Sequence, residues 1–241
     1  ELETAPPALI VKGHPVLLDK PTIALVGARN ASAAACRFAR ALARGLGEAG
    51  VVVVSGLARG IDTAAHDGAL ESGTIAVIAG GIDIVYPPEN AERQHAIAET
   101  GLLMAEQPPG VEPRARHFPY RNRIIAGLAH GTVVVEAAPK SGSLITARYA
   151  TEFGRDVMAV PGSPLDPRAQ GCNQLIREGA ILIQNAEDVL ESIRPFHLRP
   201  LAQRRLDYDG PGSNPDLNEA DRRAILSLLS PTAVPIDEIL R

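Results

Sequence analysis

Tryptophan is missing from this sequence of 241 residues, aromatic residues of all kinds make up 3%, and cysteine occurs only twice. Cys36 and Cys172 offer neither a disulfide framework nor metal-ligand spacing, so both are expected to be reduced thiols. Cys36, within "ASAAACRFARALA", reads as a small apolar residue of a helix. No apolar run approaches the roughly 20 residues that a membrane span needs, and no signal peptide opens the chain. The expectation is a cytoplasmic protein with no membrane partner. An excess of positive charge is lacking too: the formal net charge is −4. That argues against a globally basic nucleic-acid binder but is silent on where the charges sit. The sequence opens on Glu1 rather than Met, which points to a fragment of a longer chain.

The usual phosphate motifs are absent as well. The first strand-to-helix turn, "GARNAS", has a single glycine where a dinucleotide fold carries G-x-G-x-x-G, and no acid ends the second strand to hold a ribose. G-x-x-x-x-G-K-[ST] is not found either. NAD and P-loop nucleotide binding are therefore excluded as far as motifs can exclude them. Asp62 and His66 stand four apart on a predicted helix, but a third metal ligand is not apparent, and no metal or cofactor is expected.

What is present is a repeated format. "TIALVG", "VVVVSG", "TIAVIAGG", "GTVVVEAA" and "DVMAVPG" are short β-branched runs that end in glycine or small residues. Strands apolar on both faces belong in parallel sheets covered by helices on each side. Between the first two, Phe38, Leu42 and Leu46 share one helical face, and Gly50 is placed to stop the helix. "IDTAAHDGALESG" repeats the format. Strand, helix and strand at this spacing predict right-handed βαβ units and an α/β fold with a doubly wound, mostly parallel sheet. Residues 1–20 read as an extension carrying one extra strand and a turn into the sheet, and 21–194 as the main domain. The Pro-, Gly- and Arg-rich stretch 195–216 reads as a linker, and 217–241 as the incomplete start of a small helical domain.

In open α/β sheets ligands bind beyond the carboxyl ends of the strands. The residues expected there are Arg29 after the first strand, then Ser55, Gly56 and Arg59 in "SGLARGIDTAAH", then Lys140, Ser141, Gly142, Ser143 and Thr146 in "KSGSLITA". Glycines allow close backbone approach, and a helix start with nearby cations favours an anion. "EPRARHFPYRNR" adds Arg121, Asn122 and Arg123 beside Phe118 and Tyr120, four arginines in all against one acid. Arginines next to aromatics suit single-stranded nucleic acid. Asp62 reads as a helix N-cap, Asp83 and Tyr86 as a cap and a turn, and no catalytic triad follows from spacing. A nucleotide, a small substrate and a nucleic-acid backbone all remain open as the anion.

"VGARNAS", "SGLARGIDTAAH", "VIAGGIDIVYPPEN", "FPYRNRIIAGLAHGTVVVEA", "KSGSLITARYATEFGRDVMAVPG" and "GCNQLIREGA" follow one another in the order of the DNA-processing protein A (DprA/Smf) family, which this chain resembles across roughly residues 21–191. The resemblance implies an extended Rossmann-like fold and a cytosolic, dimeric, non-catalytic protein. It implies binding of single-stranded DNA in natural transformation, protection of that DNA, and help in loading the RecA recombinase. It also implies that 217–241 begins a winged-helix domain. The implied DNA-binding residues are Arg29, Ser55, Gly56, Arg59, Arg121, Asn122, Arg123, Lys140, Ser141, Gly142, Ser143 and Thr146, and the anion becomes a DNA phosphodiester. Arg123 and Lys140 are each expected to meet one phosphate.

The alternative is a nucleotide-ligand-binding or phosphoribohydrolase-like member of the same superfamily. Those hydrolases carry P-G-G-x-G-T-x-x-E at this turn, whereas here the first acid after Thr146 is Glu152, two turns into the helix. Residues 179–193 predict an edge strand and a helix with Val189, Leu190 and Ile193 apolar, which a two-fold partner or the sheet itself would cover.

Overall fold

The computed structural model describes residues 5–197. Eight strands form one sheet: β1 (Ile10–Gly13), β2 (Thr22–Val26), β3 (Val52–Ser55), β4 (Thr74–Gly81), β5 (Leu102–Gln107), β6 (Gly131–Val134), β7 (Asp156–Ala159) and β8 (Ile181–Leu182). Their order is β1-β5-β4-β3-β2-β6-β7-β8. All pairings are parallel except that of β1 with β5. The chain builds outward from β2 to β5, then returns to place β6 on the other flank of β2. The doubly wound expectation holds, and the N-terminal extension enters the sheet as its antiparallel edge.

Each predicted strand forms where its β-branched run lies. β2 shows why these runs are apolar throughout. Ile23 and Leu25 point to one face and pack with α1 (Ala33–Glu48), α2 (Ile61–Ala69) and α7 (Ala186–His197). Ala24 and Val26 point to the other face, toward α4 (His117–Leu128), α5 (Ser143–Glu152) and α6 (Gln170–Arg177). Leu42 and Leu46 of α1 are fully covered, each burial stabilising the fold by about 1.5–3 kcal/mol. Ser32 caps α1 by accepting the Ala35 N–H at 3.1 Å, and Gly50 ends the turn at φ +80°, a backbone region open to glycine.

Two elements carry no clear sequence signal. β5 has no β-branched residue in "LLMAEQ", and α3 (Ala91–Thr100) has Ile97 as its one large apolar side chain. Tertiary packing makes both: Leu102 and Met104 complete one side of the sheet, while Ile97 joins Leu103 and Ala105 on the other. At the far edge, Val189 and Ile193 of α7 pack back onto the core, while Ile181 and Leu182 of β8 remain exposed. α7 carries the helix to His197, just into the stretch expected as linker; the rest of 195–216 and all of 217–241 lie outside the described residues.

His66 sits in this core, not in a metal site. The Thr74 hydroxyl donates to the Val53 carbonyl at 2.7 Å. The ring nitrogen that faces it at 2.9 Å must therefore be a protonated Nδ1. Nε2 is buried with no partner. Burial pushes the imidazole pKa down to about 3. An unfolded histidine takes a proton near 6.5, so this group's contribution is complete above that pH and is lost as pH falls toward 3. The stability difference between wild type and His66→Gln should shrink by about 2 kcal/mol between pH 7 and pH 5. Urea unfolding at the two pH values measures it, and an unchanged gap would place the histidine in contact with water.

Candidate nucleic-acid interface

The return of the chain at β2 and β6 splays two strand-to-helix loops apart, and a cleft of about 920 Å³ opens between them. One wall is the loop after β2, with Arg29 and Asn30. The opposite wall is the loop after β6 and the start of α5, with Lys140, Ser141, Gly142, Ser143 and Thr146. The first turns of α4 close the cleft from one side with Phe118, Arg121 and Asn122. A smaller cavity of about 300 Å³ continues beyond β3 and β4, sharing Arg29, Tyr86, Phe118 and Arg121 with the cleft.

Local geometry explains each side chain. Gly142 heads α5 without a side-chain cap. The Ser141 and Ser143 hydroxyls meet at 2.8 Å, and Asn122 Nδ2 donates to the Gly142 carbonyl at 3.2 Å, which ties α4 to this loop. Lys140 is exposed beside it. The α5 start thus joins a helix N-terminus, two hydroxyls and a free ammonium, which suits an anion. Across the cleft the exposed Arg29 guanidinium stacks 4.9 Å over Phe118, and Tyr86 tilts against the same ring at 5.7 Å.

Arg121 is the buried cation of the set. Its Nη1 donates to the Val77 carbonyl at 3.1 Å. A Cβ on Gly56 would overlap its guanidinium, so the glycine is the space through which Arg121 passes. Burial lowers its pKa to about 10, opposed by the nearby Asp62 carboxylate, and it remains charged at neutral pH. Asp62 is not the N-cap, a place held by Gly60. It lies on the cleft wall and accepts from Ala58 N–H at 3.3 Å. Burial raises its pKa, and Arg121 works against that rise. Leu57, beside Gly56, takes φ +55°, a left-handed backbone uncommon for a branched side chain. The Asn90 amide holds its carbonyl at 2.9 Å.

Four expected residues stand outside the cleft, Gly56 among them, which lines only the smaller cavity. Arg123 does not line the cleft: two residues past Arg121 on α4, it pairs with Glu106 of β5 in a largely buried contact. Ser55 is wholly buried and donates to the Leu25 carbonyl at 2.6 Å, a bond within the sheet. Arg59 lines only the smaller cavity and is paired with Glu89. Conversely, Arg168 joins the cleft from the loop before α6, its guanidinium forked on Asp166 at 3.1 and 2.8 Å. Nothing local in "SPLDPRAQ" marks it. Tyr86 also belongs to the site rather than to a bland turn.

A family model described as DNA recombination-mediator protein A matches residues 1–194. The chain belongs to that family. Curated relatives of this family include the DNA processing protein DprA of Streptococcus pneumoniae, 49% identical over 192 residues, covering 79% of this chain and 68% of that protein. The Smf protein of Synechocystis is 42% identical, over 80% of this chain and 50% of its own length. This chain thus spans about half to two thirds of the curated relatives it matches. Among family structures, that of the Streptococcus pneumoniae protein aligns with TM-score 0.73 and 48% identity over 76% of this chain and 65% of the other. That of Helicobacter pylori DNA processing protein A, described for its single-stranded DNA binding mode, aligns with TM-score 0.75 and 30% identity over 81% and 90%. A molybdenum cofactor binding protein of Rippkaea orientalis, at 17% identity and TM-score 0.53, shares the fold alone.

Because Arg123 balances a partly buried carboxylate, Arg123→Ala should lower unfolding stability by about 1–3 kcal/mol. Lys140→Ala, at an exposed position, should stay within about 0.5 kcal/mol of wild type. Urea melts of the two variants separate these roles.

Proposed function

We propose that this chain binds single-stranded DNA in the cleft, holding phosphodiester oxygens at the Lys140–Ser143 loop and resting bases against Phe118 and Tyr86. The observation that carries the reading is the meeting, in one cleft, of the Ser141 and Ser143 hydroxyls at the start of α5, the exposed cations Arg29 and Lys140, and two aromatic rings. Ring faces take unstacked bases, which a duplex does not present. Membership of the family, and the single-stranded DNA binding mode described for the Helicobacter pylori protein, support it.

On this reading the protein protects incoming DNA during natural transformation and helps load the RecA recombinase, as a cytoplasmic homodimer that catalyses no reaction. The exposed apolar pair Ile181 and Leu182 on the free edge of β8 supports a two-fold partner. No helix among the described residues is long and apolar enough to cross a membrane. Glu152, the first acid after Thr146, pairs with Arg148 at 3.3 Å on the outer side of α5 and does not line the cleft, which weighs against a phosphoribohydrolase. Residues 195–216 would then link the DNA-binding domain to a winged-helix-like segment beginning at 217.

Fluorescence anisotropy of labelled oligo-dT over a salt series tests the reading. Log K should fall linearly with log salt, by about 0.7 for each phosphate held. Lys140→Ala should flatten that slope by about one contact, and Arg123→Ala should leave it unchanged. Duplex DNA and AMP should compete poorly. Displacement of the oligonucleotide by equal amounts of AMP would overturn the reading in favour of a small nucleotide ligand.

A further inference from the structure

Beside the cleft lies the helix start that a dinucleotide fold would use. α1 begins at the carboxyl end of β2, against β6, at the point where the strand order reverses. In such folds the N–H groups of this first turn take a ligand's pyrophosphate. Here a carboxylate of the protein takes the N–H and the hydroxyl of the cap residue, Ser32. Glu136, just past the end of β6, is buried and reaches across to the α1 cap. One carboxylate oxygen, Oε1, accepts the Ser32 N–H at 3.0 Å, and Oε2 accepts the Ser32 hydroxyl at 2.7 Å. The Ser32 oxygen in turn accepts from Ala35 N–H. The backbone carbonyl of Glu136 also accepts from Ala28 N–H, which draws the β2 loop onto β6.

We infer that Glu136 is a specificity-determining residue: a built-in anion that closes the α1 start to phosphate and confines ligand phosphate to the α5 start. The inference rests on the reading of the cleft as a phosphate site. Gly27 and Ala28, the latter donating its N–H to the Glu136 carbonyl, line the cleft, as does Ala138 two residues past Glu136, so the residue adjoins the cleft without lining it. Its repulsion grows with ligand charge. A phosphodiester brings one negative charge per phosphate, whereas inorganic pyrophosphate or ADP concentrates several on adjacent groups. Arg168, which lies within electrostatic reach of Glu136, is already forked on Asp166. The cleft therefore favours a polymer of diesters over a nucleotide with a terminal phosphate chain. This also gives a physical reason for a single glycine in "GARNAS": no pyrophosphate needs to approach that backbone.

The test uses the full chain and Glu136→Gln, which keeps the volume and an acceptor for Ser32 but removes the charge. Inorganic pyrophosphate and ADP should gain about tenfold in affinity, and oligo-dT no more than about threefold. In 15N spectra of the variant, pyrophosphate should shift the amides of Ser32 and Ala35. In wild type it should shift those of Ser141–Leu144 and leave Ser32 and Ala35 in place. Equal gains for all ligands, or none, in a folded variant would overturn the inference. So would a pyrophosphate shift at Ser32 and Ala35 in wild type, a result that needs no variant to fold. Absence of oligo-dT binding by wild type defeats the DNA reading instead, and the amide spectra still decide the role of Glu136.

Discussion

The parallel pairing of β2 with β6 is the constraint from which the rest follows. Ile23 to Val26 lie in register with Gly131 to Val134, and the two strands send their following helices to opposite faces of the sheet. Their loops therefore part at the carboxyl edge, and the gap between them is the cleft. Every anion-directed group depends on that separation: the Lys140–Ser143 loop on one lip, Arg29 on the other, and Glu136 adjoining. A chain that continued outward from β5 without returning to β2 would bury the same apolar residues and have no such opening.

Within the cleft, charge is handled in two ways. Lys140 and Arg29 stay in water, where their charge costs little and a ligand is free to reach it. Arg121 is held inside, and its desolvation is offset by the Val77 carbonyl and by the field of Asp62. An arginine fixed in this way loses little side-chain freedom when a ligand arrives, so its charge is preorganised. Gly56 is the local consequence of making room for it. Asp62 places negative charge on the cleft wall, and Glu136 places it at the α1 cap.

Much of the architecture is legible from composition alone. Runs such as "VVVVSG" have no polar face, and a strand of that kind is stable only between two layers of helices. The ends of those runs mark the edge where the cleft opens, which is why Arg29 and the loop from Lys140 to Ser143 can be named from spacing. β5 and α3 are less visible because their packing is supplied by neighbours rather than by their own pattern.

Side-chain direction is where local reading ends. Arg121 and Arg123 stand two apart in one helix and look alike in "YRNR", yet about 200° of helical rotation sends one under the cleft and the other to Glu106. Ser55 and Ser141 both precede a glycine after a strand, but Ser55 is still inside the sheet and spends its hydroxyl on Leu25. Hydrophobic period, turn residues and motif order are properties of neighbours along the chain, and they determined the class of fold and the sheet edge at which the cleft opens. Which charges are free, which are paired, and that Glu136 fills the α1 start were decided by contacts between residues as many as 104 positions apart, which exist only once the sheet has brought its strands together.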